Sequence, residues 1–291
     1  MSKTGLIIEG GGMRGIYGCG VLDGFLENNI RIRYAIGVSA GTANMASYMA
    51  NQMLRNYRFY TQYAFDERYM GVKSYIKTGS FFGMDFIFDE LTNNVDPIDY
   101  KTLLEPENEF YIVATNAETG EAKYFSHEDM AAAYAKHDTS NAMFKASSSV
   151  PLMCKPVEID GVKYFDGGVA DSIPVERALL DGCDKVIAIL TRPRSFVKEP
   201  EKGKQVYTEV LKDYPKTIEA LNNRHVVYRN SMNILLELEK SGDAMLFFPQ
   251  NLHGVNLYSR NRPALEKLYH DGRHEAESRI DELRRFLGKD E

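Results

Sequence analysis

The chain has 291 residues, of which 44% are hydrophobic, and it carries a formal net charge of −6 at pH 7. This length suits one large α/β domain with an appendage, and the negative charge argues against nucleic acid as the main partner. No window approaches about 18 consecutive apolar residues, and no basic segment followed by an apolar core opens the chain, so we expect neither a membrane span nor a secretory signal.

A short β-rich run at residues 4–9 opens the chain and is followed by a glycine-rich loop. Apolar residues at helical spacing then follow over residues 16–26, so the pattern predicts strand, loop and helix. The loop residues are Gly10, Gly11, Gly12, Met13, Arg14 and Gly15. Its unpaired N–H groups, next to a helix N-terminus, can bind an anion.

The next apolar run, residues 34–38, predicts a second strand that leads into a G-x-S-x-G motif. Gly37 and Gly41 flank Ser39 in this motif, and residues 43–54 predict the helix that follows. A serine between a strand and a helix in this pattern is typical of a nucleophile elbow. The first forty residues form a βαβ unit, and parallel strands end at the same edge of a sheet. We therefore expect the glycine loop beside Ser39, where it would serve as an oxyanion hole.

The same loop also fits the G-x-G-x-x-G pattern of dinucleotide-binding proteins. That pattern includes an acidic residue at the end of the second strand, which binds the ribose hydroxyl. Here the second strand ends at Ser39, and the nearby charged residues, Arg31 and Arg33, lie at its start. Nucleotide binding is therefore the less favoured interpretation.

Residues 80–88 form the most aromatic segment of the chain. Aromatic runs are usually buried in the core, and a second interpretation is that this one lines an acyl-binding site or contacts a membrane surface.

A candidate base follows a predicted β-hairpin. Residues 155–159 and 162–165 alternate in polarity around Asp160-Gly161, and Asp166-Gly167-Gly168 comes directly afterwards. Asp166 at a strand end is either this base, with Asp171 close behind it, or an ordinary turn aspartate.

A histidine base is not indicated by the sequence. None of the six histidines follows a strand-like run with a loop signature, so surface positions are the simpler interpretation. They are His127, His137, His225, His253, His270 and His274.

The remaining elements complete a three-layer α/β/α fold with a mostly parallel central sheet. Residues 110–115, 185–190 and 244–248 predict strands. The predicted helices are residues 173–180, 206–221, 226–240 and 264–287. We expect a catalytic domain over residues 1–192 and a mainly helical C-terminal extension over residues 193–291. The extension would cover the cleft, form a subunit contact or give structural support.

Taken together in this order, the three motifs resemble those of the patatin-like phospholipase family. Residues 10–15 are similar to its glycine-rich oxyanion motif, residues 37–41 to its nucleophile elbow and residues 166–168 to its D-G-G/A motif. Residues 146–151 are similar to a stretch that the family places before the last motif. The resemblance spans residues 3–171, or residues 3–192 at its widest. One departure is Glu9, where many members have aspartate.

The resemblance implies a Ser-Asp dyad, with Ser39 as the nucleophile and Asp166 as the base. It also implies an acyl-serine intermediate, an oxyanion hole formed by the glycine loop, and lipid acyl esters as substrates. An ordinary aspartate is a weak base, and burial in an apolar cleft would raise the pKa of Asp166. Arg14 either orients the loop or is an exposed residue at a helix start.

Two alternatives to a hydrolase stay open at this point: a catalytically weak module that binds lipid or a protein partner, and a nucleotide-binding protein. Cys19, Cys154 and Cys183 lack metal-ligand spacing and indicate reduced thiols, which favours a cytoplasmic protein. No motif requires a cofactor, a metal or calcium. Transient contact with a membrane surface is compatible with the sequence, which does not specify the head group, the acyl length or the oligomeric state.

Overall fold

Strands from both the N-terminal and the C-terminal parts join one mixed sheet in the computed structural model, which describes residues 3–139 and 141–288. The strands are β1 (Thr4–Ile8), β2 (Tyr34–Val38), β3 (Glu109–Asn116), β4 (Ala122–Ser126), β5 (Val157–Ile159), β6 (Val162–Asp166), β7 (Lys185–Ile189) and β8 (Ala244–Phe247). Their order in the sheet is β5-β6-β3-β2-β1-β7-β8. The remaining strand, β4, pairs with β3 and is not part of this linear order.

The central strands are parallel, and the hairpin end of the sheet is antiparallel. β1 pairs with both β2 and β7, and β3 and β8 extend the parallel part on its two sides. β4 and β6 run antiparallel to β3, and β5 runs antiparallel to β6. The prediction of a mostly parallel sheet is confirmed.

Helices cover both faces of the sheet. They are α1 (Ile16–Glu27), α2 (Ala40–Met49), α3 (Arg55–Thr61), α4 (Val72–Thr78), α5 (Tyr100–Leu103), α6 (His127–Ala135), α7 (Ala142–Ser147), α8 (Val175–Leu180), α9 (Lys204–Val210), α10 (Pro215–Ser241), α11 (Arg262–Ser278) and α12 (Ile280–Phe286). Leu6 and Ile8 of β1 pack in the core on the α1 and α11 side, whereas Ile7 packs on the side of α8 and α10. This alternation along a buried strand produces the predicted three layers.

The C-terminal part is built into this fold. β8 extends the sheet beside β7, and α11 packs closely on α1. At this contact a Cβ on Gly20 would collide with the carbonyl oxygen of Tyr269, and a Cβ on Gly272 with that of Tyr17. A boundary after residue 192 therefore stays a prediction, and the sheet runs across it.

Several predicted helix limits are wrong. Residues 215–241 form one continuous helix, α10, instead of parts of two helices. Pro215 sets its start, because proline suits the first turn of a helix, and no glycine or proline interrupts the polar residues 222–225. α2 begins at Ala40, directly after Ser39, and ends at Met49 rather than at residue 54.

Over residues 3–139 and 141–288, none of the helices combines the length and the apolar composition that a membrane span requires. The same part of the chain contains no group of three or more histidine, cysteine, aspartate or glutamate side chains placed to hold a metal ion. Cys19, Cys154 and Cys183 are buried free thiols.

Candidate active site

Ser39 lies on a sharp turn between β2 and α2. Its φ of 53° and ψ of −126° are rare for a residue with a side chain, which is typical of the strained backbone of an elbow. The Ser39 N–H donates to Ser147 Oγ at 2.9 Å, and the Ser39 carbonyl accepts from the Thr42 N–H at 2.9 Å. Gly41 allows α2 to approach β1, because a Cβ there would collide with the Ile8 carbonyl oxygen.

The glycine loop passes directly beside Ser39, as the parallel pairing of β1 and β2 predicts. A Cβ on Gly10 would lie 2.7 Å from Ser39 Cβ and 2.8 Å from the Val38 carbonyl oxygen. Such a distance is shorter than real Cβ contacts, so only glycine allows this approach. Residues 12–15 form a 3₁₀ turn that leads into α1.

The loop N–H groups differ in availability. The Met13 N–H donates to the Leu257 carbonyl at 3.1 Å, and the Arg14 N–H donates to the Gly11 carbonyl at 3.2 Å. Within the described residues, the N–H groups of Gly10, Gly11 and Gly12 have no protein acceptor, nor does that of Ala40, the residue after Ser39. These free donors beside Ser39 are the ones available to a negatively charged oxygen.

Glu9 comes directly before the glycine loop in the chain. Its carboxylate accepts from Thr191 through the N–H at 2.6 Å and through Oγ1 at 3.1 Å. Thr191 Oγ1 also lies 2.7 Å from the Gly10 carbonyl oxygen, so its single proton is shared between these two acceptors. Glu9, which follows β1, therefore holds the loop against the segment that comes after β7.

Asp166 ends β6 and is 6% exposed. It accepts a hydrogen bond from the Gly168 N–H at 2.8 Å, and its own N–H donates to the Ser149 carbonyl at 2.9 Å. Burial raises the pKa of Asp166, and the nearby Ser39 hydroxyl opposes this rise. The fold thus places Ser39 and Asp166 on the same cavity, and burial makes the carboxylate a stronger base than that of an exposed aspartate.

The end of α7 and the residues that follow it hold both Ser39 and Asp166 in place. Ser147 holds the backbone of Ser39, and Ser149 holds the backbone of Asp166. The sequence marked residues 146–151 only by resemblance and gave no role to these two serines. Ser39, the partner of Ser147, lies 108 residues upstream, and Asp166, the partner of Ser149, lies 17 residues downstream. No local sequence pattern reveals pairs so far apart.

Two cavities meet at Ser39, and no histidine is found among the described residues that line them. One has a volume of about 90 Å³ and is mainly apolar; Phe59, Phe82, Met84, Ile87, Phe88 and Phe144 are among its lining residues. The aromatic segment at residues 80–88 therefore contributes both to the core and to this cavity. The other has a volume of about 320 Å³ and is lined by charged side chains, including Arg14 and Asp166.

The remaining candidate residues contact other parts of the protein and do not face Ser39 or Asp166. Asp171 accepts from the Tyr124 hydroxyl at 2.7 Å and lines neither cavity. A Cβ on Gly15 would meet Tyr60 and Ala40, and one on Gly37 would meet Thr42. Gly167 packs against Val113 of β3. These glycines permit close packing behind the site.

Comparisons with known proteins identify the family of most of the chain. The model of the patatin-like phospholipase family matches residues 6–179, and that of a domain of unknown function (DUF6363) matches residues 214–288. An uncharacterized protein of Escherichia coli (strain K12), YjjU, is 26% identical over 281 residues, which cover 93% of this chain and 75% of that relative.

Among solved structures, VipD from Legionella pneumophila superimposes with a TM-score of 0.50 at 14% sequence identity. The match covers 97% of this chain and 67% of VipD. At this identity the likeness concerns the fold alone.

Proposed function

The chain belongs to the patatin-like phospholipase family, a family of lipid acyl hydrolases, and we propose that it is a serine acyl-ester hydrolase that uses a Ser39–Asp166 dyad. The observation that carries this proposal is the buried carboxylate of Asp166 on the same cavity as a serine on a strained elbow. The absence of histidine from both cavities supports a dyad rather than a triad.

In the proposed reaction, Asp166 accepts the Ser39 hydroxyl proton while Oγ attacks the ester carbonyl carbon. The free N–H groups of Gly11, Gly12 and Ala40 stabilise the resulting oxyanion. The tetrahedral intermediate collapses, the alcohol leaves with the proton from Asp166, and an acyl-serine ester remains. Water then attacks this ester, and Asp166 accepts the proton of the water before returning it to Ser39.

The apolar cavity is the proposed acyl site. It opens beside Ser39 and is lined by aromatic and aliphatic side chains from α3 and the aromatic segment, so an acyl chain bound there places its carbonyl next to Oγ. Burying each methylene group of such a chain contributes about 0.8 kcal/mol.

Hydrolysis of a soluble short-chain ester tests the proposed function. We expect Ser39→Ala to reduce kcat/KM by about 10³-fold or more, because the covalent nucleophile is lost. Single replacements of His127, His225 and His253 by alanine should leave kcat/KM within about twofold, since none of them lines a cavity at Ser39. A histidine variant as inactive as Ser39→Ala would refute the dyad.

Contact with a membrane surface forms a second part of the proposal, and it rests on α4. Val72, Tyr75 and Ile76 are 70%, 51% and 79% exposed, whereas Ser74 faces inward. α4 lies in the segment between Met70 and Phe82, whose backbones pair with each other. Phe82 also lines the acyl cavity. An exposed apolar helix face beside the cavity suits insertion into a lipid surface, and Lys73 and Lys77 flank it.

We expect the double variant Val72→Ser, Ile76→Ser to bind vesicles of phosphatidylglycerol about tenfold or more weakly, because two exposed apolar side chains are removed. Vesicle sedimentation measures this change. Leu180→Ser removes a side chain that is 84% exposed on α8 and serves as the matched control. Equal vesicle binding by the double variant and the wild type would contradict the role of α4.

A further inference from the structure

The C-terminal part of the chain reaches the glycine loop through the segment between β8 and α11. This segment, residues 248–261, lies within the residues matched by the domain of unknown function and outside those matched by the patatin-like family. We call it the brace. Its residue Leu257 lines both cavities that meet at Ser39. A side chain from the C-terminal part therefore borders the same space as the proposed nucleophile.

Leu257 contacts the glycine loop through its backbone and through its side chain. Its carbonyl accepts the Met13 N–H at 3.1 Å. A Cβ on Gly12 would lie 2.3 Å from the Leu257 carbonyl oxygen and 2.8 Å from Leu257 Cδ1. Gly12 also has a φ of +55°, which favours glycine. The brace thus lies as close to the loop as a residue without a side chain permits.

The loop needs such support because three successive glycines, residues 10–12, have more conformational freedom than other residues. Contacts from other segments hold it at both ends. Thr191 Oγ1 lies 2.7 Å from the Gly10 carbonyl oxygen at one end, and Leu257 accepts from Met13 at the other. The free N–H groups lie between these two contacts. Their direction therefore depends on both.

Arg14 packs against the middle of the loop. Its side chain is buried, so Arg14 is not the exposed residue at a helix start that one interpretation of the sequence expects. A Cβ on Gly11 would lie 3.3 Å from Arg14 Nη2. Arg14 is thus placed to limit the movement of the loop from the protein's own catalytic part, while Leu257 does so from the C-terminal part.

The brace is itself held on both sides of Leu257. On one side, Val255 is 3% exposed and belongs to the main hydrophobic core. On the other side, the Arg260 guanidinium donates to the carbonyl of Met70, shortly before α4. A residue between two such anchors has a defined position, so its contact with the glycine loop can fix the loop in turn.

Hydrogen bonds within the brace shape the turn that carries Leu257. The Asn256 N–H donates to Ser259 Oγ at 2.8 Å, and the Tyr258 N–H donates to Asn256 Oδ1 at 3.0 Å. These bonds involve the residues directly before and after Leu257. They fix the direction of the carbonyl that accepts from Met13.

We propose that Leu257 is a positioning residue for the oxyanion hole: it holds the glycine loop so that the N–H groups of Gly11 and Gly12 point at the developing oxyanion. Such donors are effective only when they are oriented before the reaction. The C-terminal region would then contribute to the chemical step as well as to the sheet. This inference rests on the proposed function.

Leu257→Ala tests the proposal, and Leu252→Ala is its matched control. Both positions are half-buried leucines of the brace, but Leu252 packs against the main core and lines neither cavity. We expect Leu257→Ala to reduce kcat for a soluble ester by about 10–100-fold and to change KM by less than about threefold, because misplaced donors weaken the transition state. Leu252→Ala should lower the melting temperature and keep kcat within about twofold.

The conservative variant Leu257→Met separates positioning from the exact shape of the side chain. Methionine keeps the backbone carbonyl and an apolar side chain next to Gly12, so kcat should stay within about threefold of the wild type. A kcat as low as that of Leu257→Ala would contradict a role based on this apolar contact.

A pair of ketone inhibitors reports on the oxyanion itself. With a trifluoromethyl ketone, Ser39 Oγ adds to the carbonyl carbon, its proton passes to Asp166 and the ketone oxygen becomes an oxyanion. The matching methyl ketone binds mainly without this addition. The ratio of the two inhibition constants, methyl over trifluoromethyl, therefore measures oxyanion stabilisation and cancels binding in the apolar cavity.

We expect this ratio to fall by about tenfold or more in Leu257→Ala and to stay unchanged in Leu252→Ala. An unchanged ratio in Leu257→Ala would overturn the proposal even if kcat/KM fell, because the oxyanion hole would then be intact. An equal fall in Leu252→Ala would overturn it as well, because general destabilisation of the brace would then be the cause.

Amide hydrogen exchange separates failure of this inference from failure of the proposed function. The Met13 amide should exchange about tenfold faster in Leu257→Ala than in the wild type or in Leu252→Ala. A wild type that hydrolyses no ester but shows this difference would refute the hydrolase and confirm that Leu257 holds the loop. A wild type that hydrolyses esters, with no difference in exchange or in the inhibitor ratio for Leu257→Ala, would refute the positioning role alone.

Discussion

Replacing Asp166 by asparagine is expected to reduce ester hydrolysis by about 10²–10⁴-fold, the usual contribution of a general base. Asparagine preserves the acceptor for the Gly168 N–H but cannot take a proton from Ser39. In the wild type, kcat/KM should fall as the pH drops through the raised pKa of Asp166, and this acid limb should lie above that of an ordinary aspartate. Steady-state kinetics across pH measure both effects.

The same variant should not be less stable near neutral pH. Because burial raises the pKa of Asp166 in the folded protein, ionisation costs stability as the pH rises above the unfolded-state value of about 4. Asp166→Asn avoids this cost, so its melting temperature near neutral pH should equal or exceed that of the wild type. The difference should vanish below about pH 4, where the carboxyl group is protonated in both states. Loss of activity with a large fall in melting temperature would indicate misfolding and contradict a catalytic role.

Gly10→Ala is expected to reduce kcat/KM by about 10²–10³-fold, comparable to the loss of an oxyanion donor. The added methyl group would lie 2.7 Å from Ser39 Cβ, so the loop or the elbow must move, and small misplacements near the reacting atoms are costly. Kinetics on a soluble ester, together with the melting temperature, measure the effect.

Gly182→Ala is the control for the cost of adding a methyl group to a glycine. Its φ is +82°, and open space surrounds the position of the added Cβ, so strain without collision is expected. It should lower the melting temperature and leave kcat/KM unchanged. Wild-type activity in Gly10→Ala would show that the loop does not position the reacting groups.

The central strands were predictable because they are short apolar runs that are buried on both faces. β2 has the predicted limits, Tyr34–Val38, and the hairpin was marked by Asp160 and Gly161, both of which have positive φ. β4 pairs antiparallel with β3, and its residues are mostly exposed or half-buried. Its apolar pattern was therefore too weak to predict a strand. The length of α10 was missed because its polar residues 222–225 suggested a break where no helix breaker is present.

For the candidate site, sequence and topology placed the glycine loop beside Ser39, since β1 and β2 are parallel neighbours. The association of Ser39 with Asp166 came from the family resemblance, and the catalytic roles of both residues stay predictions. Ser147 carried no local signal, because Ser39, to which it is bonded, lies far away in the chain. Which loop N–H groups remain free also depends on a tertiary contact, the bond from Met13 to Leu257.

Labelling with a fluorophosphonate, followed by intact-mass measurement and peptide mapping, tests the central claim most directly, because this reagent forms a covalent adduct with an activated serine. The wild type should gain one adduct at Ser39, Asp166→Asn should react far more slowly, and Ser39→Ala should gain none. A wild type that stays unlabelled, while a lipid raises its melting temperature, would contradict the hydrolase and identify a lipid-binding module instead.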